Sequence, residues 1–174
     1  MYKQNMNRQF SSMNISFLVS GTLIILIGSC FMNACSSLVA YDIFEPNMVV
    51  MNTIISSGTS GLFIMFRNHY SNIFMNEESV NETKLLQYYD IHQLCGGVLA
   101  GLISITGSSA NVTLWSACMI GLIGSYIYTF TKKLLERFEI DDPLDNSEIH
   151  GFCGIWSIIA VGIFDNDRGL IYTG

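Results

Sequence analysis

Residues 15–40 read ISFLVSGTLIILIGSCFMNACSSLVA and contain no charged side chain in 26 consecutive positions. The hydrocarbon core of a bilayer is about 30 Å thick, and a helix of roughly 20 apolar residues crosses it. Lys3 and Arg8 precede the run, as they would in a signal peptide, but the run is too long and no small-residue cleavage pattern closes it. The stretch therefore predicts a membrane-spanning helix.

Four more apolar runs follow, and together the five predict an all-α, polytopic membrane helix bundle within one domain, residues 1–174. The predicted spans cover residues 15–40, 47–66, 91–106, 112–131 and 146–164. The third and fifth runs are short, so we expect them to extend into their polar flanks. The chain is 50% hydrophobic and 13% charged, whereas soluble domains carry about a quarter charged residues. This composition excludes a disordered chain and a conventional cytosolic enzyme.

The basic residues give an independent check on the five predicted spans. If the spans alternate in direction, seven of the eight Lys and Arg residues fall in segments 1–14, 67–90 and 132–148. Basic residues collect in cytoplasmic loops. We therefore expect an integral, multi-pass membrane protein with its N-terminus on the cytoplasmic side. No basic face suits nucleic acid, and none is expected as a partner.

Small residues recur at helical spacing within the predicted spans. In lipid, small side chains allow helix backbones to approach closely. The rows are Gly97 with Gly101, Ser57 with Gly61, and Ala117 with Gly121 and Ser125. They predict a tightly packed bundle.

The start of the last span contains the ionisable residue of most interest. Asp142 suits a helix N-cap, Pro143 the first helical position, and Asp145 the third, where it would favour the helix dipole. A helix continuous from Pro143 would place His150 roughly 10 Å along its axis, within the bilayer. An ionisable residue there is costly and is a functional candidate. We expect a neutral ring facing the interior of the bundle; a packing role, with the ring bonded to a carbonyl, is the alternative.

The sequence offers little for a metal or a cofactor. The cysteines lie in apolar segments, which is typical of buried hydrophobic residues. An acidic cluster beside a histidine admits a metal-dependent enzyme, but helix caps and loop charges explain these acids. Its members are Asp141, Asp142, Asp145, Glu148 and His150. We predict no metal, no cofactor and no enzymatic activity.

Three segments in order resemble the ammonium transporter family (Amt/Mep/AMT). They are GTLIILIGSCFMNACSS at 21–37, LCGGVLAGLISITGSSANVTLWSACMIGLIGS at 94–125, and DDPLD at 141–145 followed by EIHGFCGIW at 148–156. The first is similar to the family's G-x-x-x-L-W-x-G-W-x-G-F-N-x-G-S helix, and the second to its CNG and LAGLV-ITAGC patterns. The resemblance covers nearly everything from Asn14 onward.

The resemblance implies an eleven-helix fold of which the five spans are spans six to ten. It also implies homotrimers in the plasma membrane, with one hydrophobic pore in each subunit. Ammonium would lose a proton at the outer mouth, and ammonia would pass two facing histidines. Ammonium or ammonia and the lipid bilayer are the implied partners.

Position by position, the resemblance also implies roles for five residues. His150 matches the second pore histidine, Ser36 the outer-site serine and Asn33 the helix asparagine. Met32 stands where the family has a pore-capping phenylalanine, and Thr106 matches a threonine near the pore wall. As an alternative, Ser36 and Thr106 bond a backbone carbonyl within the membrane.

Departures from the family pattern leave a second function open. Ser29 replaces a tryptophan and Gly96 the asparagine of CNG, while the first five spans and the first pore histidine have no counterpart in these 174 residues. We expect the chain by itself to leave the pore wall open and to fail an ammonium uptake assay that a full-length version would pass. The alternative is a non-conducting, ammonium-sensing or decayed subunit.

Overall fold

The long apolar runs of the sequence form helices, since a helix satisfies its own backbone hydrogen bonds. A computed structural model describes residues 14–41, 46–75, 91–140, 142–167 and 169–171. The helices are α1 (Ile15–Tyr41), α2 (Pro46–Met75), α3 (Ile91–Ile105), α4 (Leu114–Arg137), a π-helical turn (Ser147–Phe152) and α5 (Cys153–Phe164), which continues that turn. The described residues contain no β-strand. The prediction of an all-α membrane bundle is confirmed.

Four of these helical segments are long and apolar enough to cross a membrane: α1, α2, α4, and the π-turn with α5. Helix α3 is apolar but only 15 residues long, which corresponds to about 22 Å at 1.5 Å per residue. Large apolar side chains such as Phe17, Ile24 and Phe31 are exposed along α1. The outside of the bundle is therefore suited to lipid or to further apolar helices.

Helix α3 lies at the centre of the bundle and contacts every other helix. A Cβ atom on Gly101 would lie 2.5 Å from the carbonyl oxygen of Ser56. Ser56 donates its hydroxyl to the Gly101 carbonyl at 2.8 Å, and Ser60 does the same to the Gly97 carbonyl at 2.6 Å. A Cβ on Gly121 of α4 would also collide with the backbone of Ser56. The predicted close packing through small residues is confirmed.

The segment between α3 and α4 is held by a buried amide on α2. Asn52 donates two hydrogen bonds of 2.9 Å, to the carbonyls of Ser109 and Val112. Thr113 then caps α4 by accepting the backbone N–H of Ser116. These bonds satisfy backbone groups that would otherwise be unpaired in an apolar setting.

The last span packs on α3 and α4, whereas α1 packs on α2 and α3. Trp156 donates its indole N–H to the Ile120 carbonyl at 3.2 Å, and the backbone N–H of Gly107 donates to the Ser157 hydroxyl at 2.8 Å. In the described part of the chain, α1 makes no contact with the π-turn or α5. Helix α3 therefore separates the two helices that carry most of the predicted pore residues.

Candidate functional site

His150 lies in the π-helical turn at the start of the last span. The N–H of Cys153 donates to the carbonyl of Glu148, five residues earlier, which is the hydrogen bond of a π-turn. Such turns occur frequently at functional sites. His150 is exposed, while Glu148 and Ile149 are buried. The expectation that His150 faces the interior of the bundle is wrong, because the opposite side of this turn packs on α3 and α4.

The surface beside His150 includes two glycine residues. Gly151 and Gly154 are exposed or partly exposed, and a Cβ atom at either position would meet no other atom within 4 Å. The described residues therefore leave free space on this face of the last span. Another helix or a small molecule can come close to the imidazole there.

The helix of the last span begins after Pro143, where the sequence predicted its first residue. Pro143 and Leu144 lie in a turn, and the π-turn that opens the span begins at Ser147, with Asn146 as its N-cap. Asp145 has a positive φ of 51°, a left-handed conformation that a helix cannot include. His150 is therefore only four residues into the helix. The predicted continuous helix from Pro143 is wrong.

Asp142 contacts the start of this span from outside it. Its carboxylate accepts the backbone N–H of Ser147 at 2.6 Å. Partial burial alone would raise the pKa of Asp142, but hydrogen bonds from Ser147, Asn146 and Leu144 outweigh it and hold the pKa below its ordinary value. The ionised side chain is thus fixed at the first turn, where it satisfies a free N–H group.

Asp145 is a buried centre of polar contacts instead of the third residue of a helix. Its Oδ2 accepts the hydroxyl of Tyr128 and the ammonium of Lys132, each at 2.6 Å. The Nδ1 atom of His92 lies 4.0 Å from the same oxygen. This cluster joins the starts of α3 and the last span to the final turns of α4. Sequence reasoning missed it, since it assigned Asp145 a purely local role.

The predicted residues on α1 divide into one buried amide and two exposed side chains. Asn33 is 2% exposed and donates its amide to the Thr53 hydroxyl at 3.2 Å, which ties α1 to α2. Met32 is 53% exposed. Ser36 is exposed, and its hydroxyl donates to the Met32 carbonyl at 2.8 Å.

Thr106 follows the last residue of α3 and is partly buried. Its hydroxyl donates to the Leu102 carbonyl at 2.9 Å. Ser36 and Thr106 both make the backbone bond that the sequence left open as an alternative. Each hydroxyl has its donor occupied and keeps lone pairs free to accept a hydrogen bond.

The acidic cluster beside His150 is described except for one member. Asp141 lies outside the described residues. Within the described ranges, no group of three or more His, Cys, Asp or Glu side chains is placed to hold a metal ion.

Comparison with known proteins places these features in one family. The sequence model of the Ammonium Transporter Family matches residues 1–173. Ammonium transporter Amt2 of Archaeoglobus fulgidus is 32% identical over 161 residues, which cover 92% of this chain and 31% of Amt2. Ammonium transporter MEP3 of Saccharomyces cerevisiae is 30% identical over 169 residues, covering 95% of this chain and 30% of MEP3.

Solved structures show the same fold. The crystal structure of Saccharomyces cerevisiae Mep2 superposes with a TM-score of 0.70 at 24% identity, covering 92% of this chain and 35% of that one. A structure described as a sensor Amt protein also has a TM-score of 0.70, at 25% identity, and covers 92% and 36% of the two chains. The chain spans about a third of the length of these relatives.

Proposed function

The chain belongs to the ammonium transporter family, and we propose that it forms one wall of a membrane pathway for ammonium or ammonia. Other helices close that pathway over the exposed face that carries His150. The curated relatives are named as transporters, and the present chain accounts for about a third of their length.

The observation that carries the proposal is the exposure of His150 on an apolar helix. The span Ser147–Phe164 is long and apolar enough to cross a membrane, and Ile155 and Ile158 are exposed further along it. An imidazole in contact with lipid would be costly, and ionisable residues in spans nearly always face protein or a water-filled cavity. The face of His150 is therefore a pathway face and not a lipid face.

In this pathway ammonium transfers a proton to water at the outer mouth, and neutral ammonia passes the imidazole. A bare cation is expensive in an apolar pore, whereas ammonia is not. A neutral imidazole has one donor and one acceptor nitrogen. It can therefore accept a hydrogen bond from ammonia at one nitrogen or donate one to ammonia at the other, with a single ammonia bound to one nitrogen at a time.

The polar side chains of α1, and Thr106 directly after α3, differ in how far they are exposed to the pathway. Ser36 offers free lone pairs on an exposed surface to an ammonium ion. Thr106 offers the same from a partly buried position. Asn33 is a positioning residue, because its amide is buried against Thr53.

The assembly and orientation follow from the family resemblance and the distribution of charge. We place seven of the eight basic residues, and the N-terminus, on the cytoplasmic side of the plasma membrane. We further propose that the complete protein is a homotrimer with a pore in each subunit. The apolar outside of the bundle is consistent with contact between subunits as well as with lipid.

A chimera tests the transport role. Residues 14–171 would replace the matching segment of yeast MEP3, and uptake of labelled methylammonium would be measured in cells without their own ammonium transporters. We expect uptake by the chimera and a loss of at least tenfold on His150→Ala. His69→Ala is the matched control, since His69 is exposed on α2 away from the last span. Unchanged uptake after His150→Ala would remove the histidine from the pathway.

A non-conducting sensor is the second candidate, and Met32 favours it. Its side chain is exposed at the position where family members carry a phenylalanine, and a thioether lacks the ring quadrupole that attracts cations. In the same chimera, Met32→Phe separates the two functions. If only the Met32→Phe chimera takes up methylammonium, the sensor is supported. If the chimera with Met32 unchanged takes it up, the transporter is supported.

A further inference from the structure

Glu148 is a buried carboxyl for which the proposed pathway has no use. It lies in the π-turn two residues before His150 and is 2% exposed, whereas His150 is exposed. Its backbone N–H interacts with its own carboxyl, but Oε2 has no hydrogen-bond partner among the described residues. Buried polar atoms in native proteins nearly always have a partner. The protonation state of this carboxyl therefore needs a physical explanation.

Among the described residues, no charged group serves as a counter-ion to Glu148 alone. Lys132 of α4 interacts electrostatically with it, but the Lys132 Nζ lies 2.6 Å from Oδ2 of Asp145. Asp145 and Asp142 act on Glu148 as like charges. From α3, the imidazole of His92 lies 4.0 Å from the same Asp145 oxygen. The Lys132 ammonium is thus engaged with Asp145.

The remaining titratable neighbours are neutral groups with other partners. Tyr128 of α4 donates its hydroxyl to Asp145. Cys153, one turn further along the last span, places its thiol 3.6 Å from the Gly124 carbonyl. Neither side chain provides a positive charge to a carboxylate at position 148.

We propose that Glu148 is a proton-binding site, and that its neutral acid form holds the π-turn in the arrangement that exposes His150. A carboxylate buried without a counter-ion is strongly disfavoured, and proton binding removes the charge. As a neutral acid, Glu148 leaves Lys132 to Asp145, and the protein buries an unpaired polar atom instead of an unpaired charge, which costs far less.

Loss of this proton is transmitted to His150 through the short turn that they share. An ionised Glu148 competes with Asp145 for Lys132 or draws water into the contact with α4. Either response moves the six-residue turn Ser147–Phe152, and with it the imidazole. The proton site stands independently, while its effect on conduction rests on the proposed function.

Infrared spectroscopy of the purified chain in lipid bilayers tests the proton site. With 13C-labelled glutamate, we expect a carboxylic-acid C=O band at neutral pH that disappears reversibly on alkalinisation. Glu148→Gln should abolish the band, and Glu136→Gln should leave it, because Glu136 is exposed on α4. If the wild-type chain shows no carboxylic-acid band of glutamate at neutral pH, the proposal is wrong, regardless of the spectra of the variants.

Resonances of the His150 ring test the transmission without any transport assay. In the wild type, a change in the 15N shifts of His150 should coincide with the loss of the Glu148 acid band. Glu148→Gln, which imitates the neutral acid and cannot lose a proton, should lack that change. A His150 titration that is the same in both proteins disproves the link. Failed uptake by the MEP3 chimera, with these signals intact, would instead count against the proposed function.

Discussion

Gly96 and Tyr128 show how one small residue determines the position of a large one. Tyr128 is fully buried and donates its hydroxyl to Asp145. A Cβ atom on Gly96 would collide with that hydroxyl and lie 2.8 Å from Cζ of the ring. The family resemblance leads one to expect asparagine at position 96. Glycine there leaves the space in which the Tyr128 hydroxyl reaches Asp145.

We therefore expect Gly96→Ala to destabilise the folded chain by about 1–3 kcal/mol, the usual cost of overpacking a core. Gly58→Ala is the matched control, because a Cβ there meets nothing within 4 Å. Alanine is the better helix former, so the control should gain up to about 1 kcal/mol. Denaturant unfolding in detergent micelles measures both. Equal effects at the two positions would contradict the role assigned to Tyr128.

At the scale of the element, the start of the last span depends on one carboxylate. Asp142 accepts the Ser147 N–H at 2.6 Å, and its pKa in the folded chain is lower than the ordinary value of 3.8. The ionised group therefore stabilises the fold above that pH, and the contribution disappears as the pH falls through the folded-state pKa.

Two substitutions separate charge from hydrogen bonding at Asp142. Asp142→Ala should lower the free energy of unfolding by about 1 kcal/mol at neutral pH, a typical loss for a helix cap. Asp142→Asn keeps an acceptor that does not titrate, so between neutral pH and pH 3 its stability should fall less than that of the wild type. Urea unfolding over this range measures the difference. Parallel pH curves for wild type and Asp142→Asn would show that the carboxylate charge is irrelevant.

Helical elements and their contacts differ in how far the sequence predicts them. Apolar runs and small-residue rows predicted the helices and the close approach at Gly101 and Gly121, because both signals are local. The buried cluster at Asp145 was missed, since its main partner, Tyr128, is 17 residues away. The left-handed backbone of Asp145 was hidden as well, because Asp-Asp-Pro equally suits a helix cap. Because of this backbone conformation, the helix begins only after Asp145. His150 lies in the π-turn that follows and is exposed there.

On the scale of the whole molecule, the five helices leave two surfaces of different kinds. In the part of the chain that the structure describes, α1 contacts α2 and α3 only, and its exposed side chains are mostly apolar, with Ser36 among the exceptions. The last span exposes apolar side chains together with one imidazole. Lipid can cover the apolar part of the first surface at no electrostatic cost, while the imidazole on the second surface favours contact with protein or water. Under the proposed function, the face of His150 borders the pathway, and the apolar part of α1 borders lipid or further helices.

The orientation of this wall in the membrane is predicted by its basic residues. Positive loops remain in the cytoplasm, so a fluorescent protein fused after residue 140 should fluoresce, and alkaline phosphatase fused after residue 110 should be active outside. Changing Lys84, Lys133 and Arg137 to Gln removes part of the bias and should give mixed signals at both positions. Active phosphatase at residue 140 of the unchanged chain would contradict the orientation. It would also place the Asp145–Lys132 cluster, and with it the Glu148 proton site, on the outer side of the membrane.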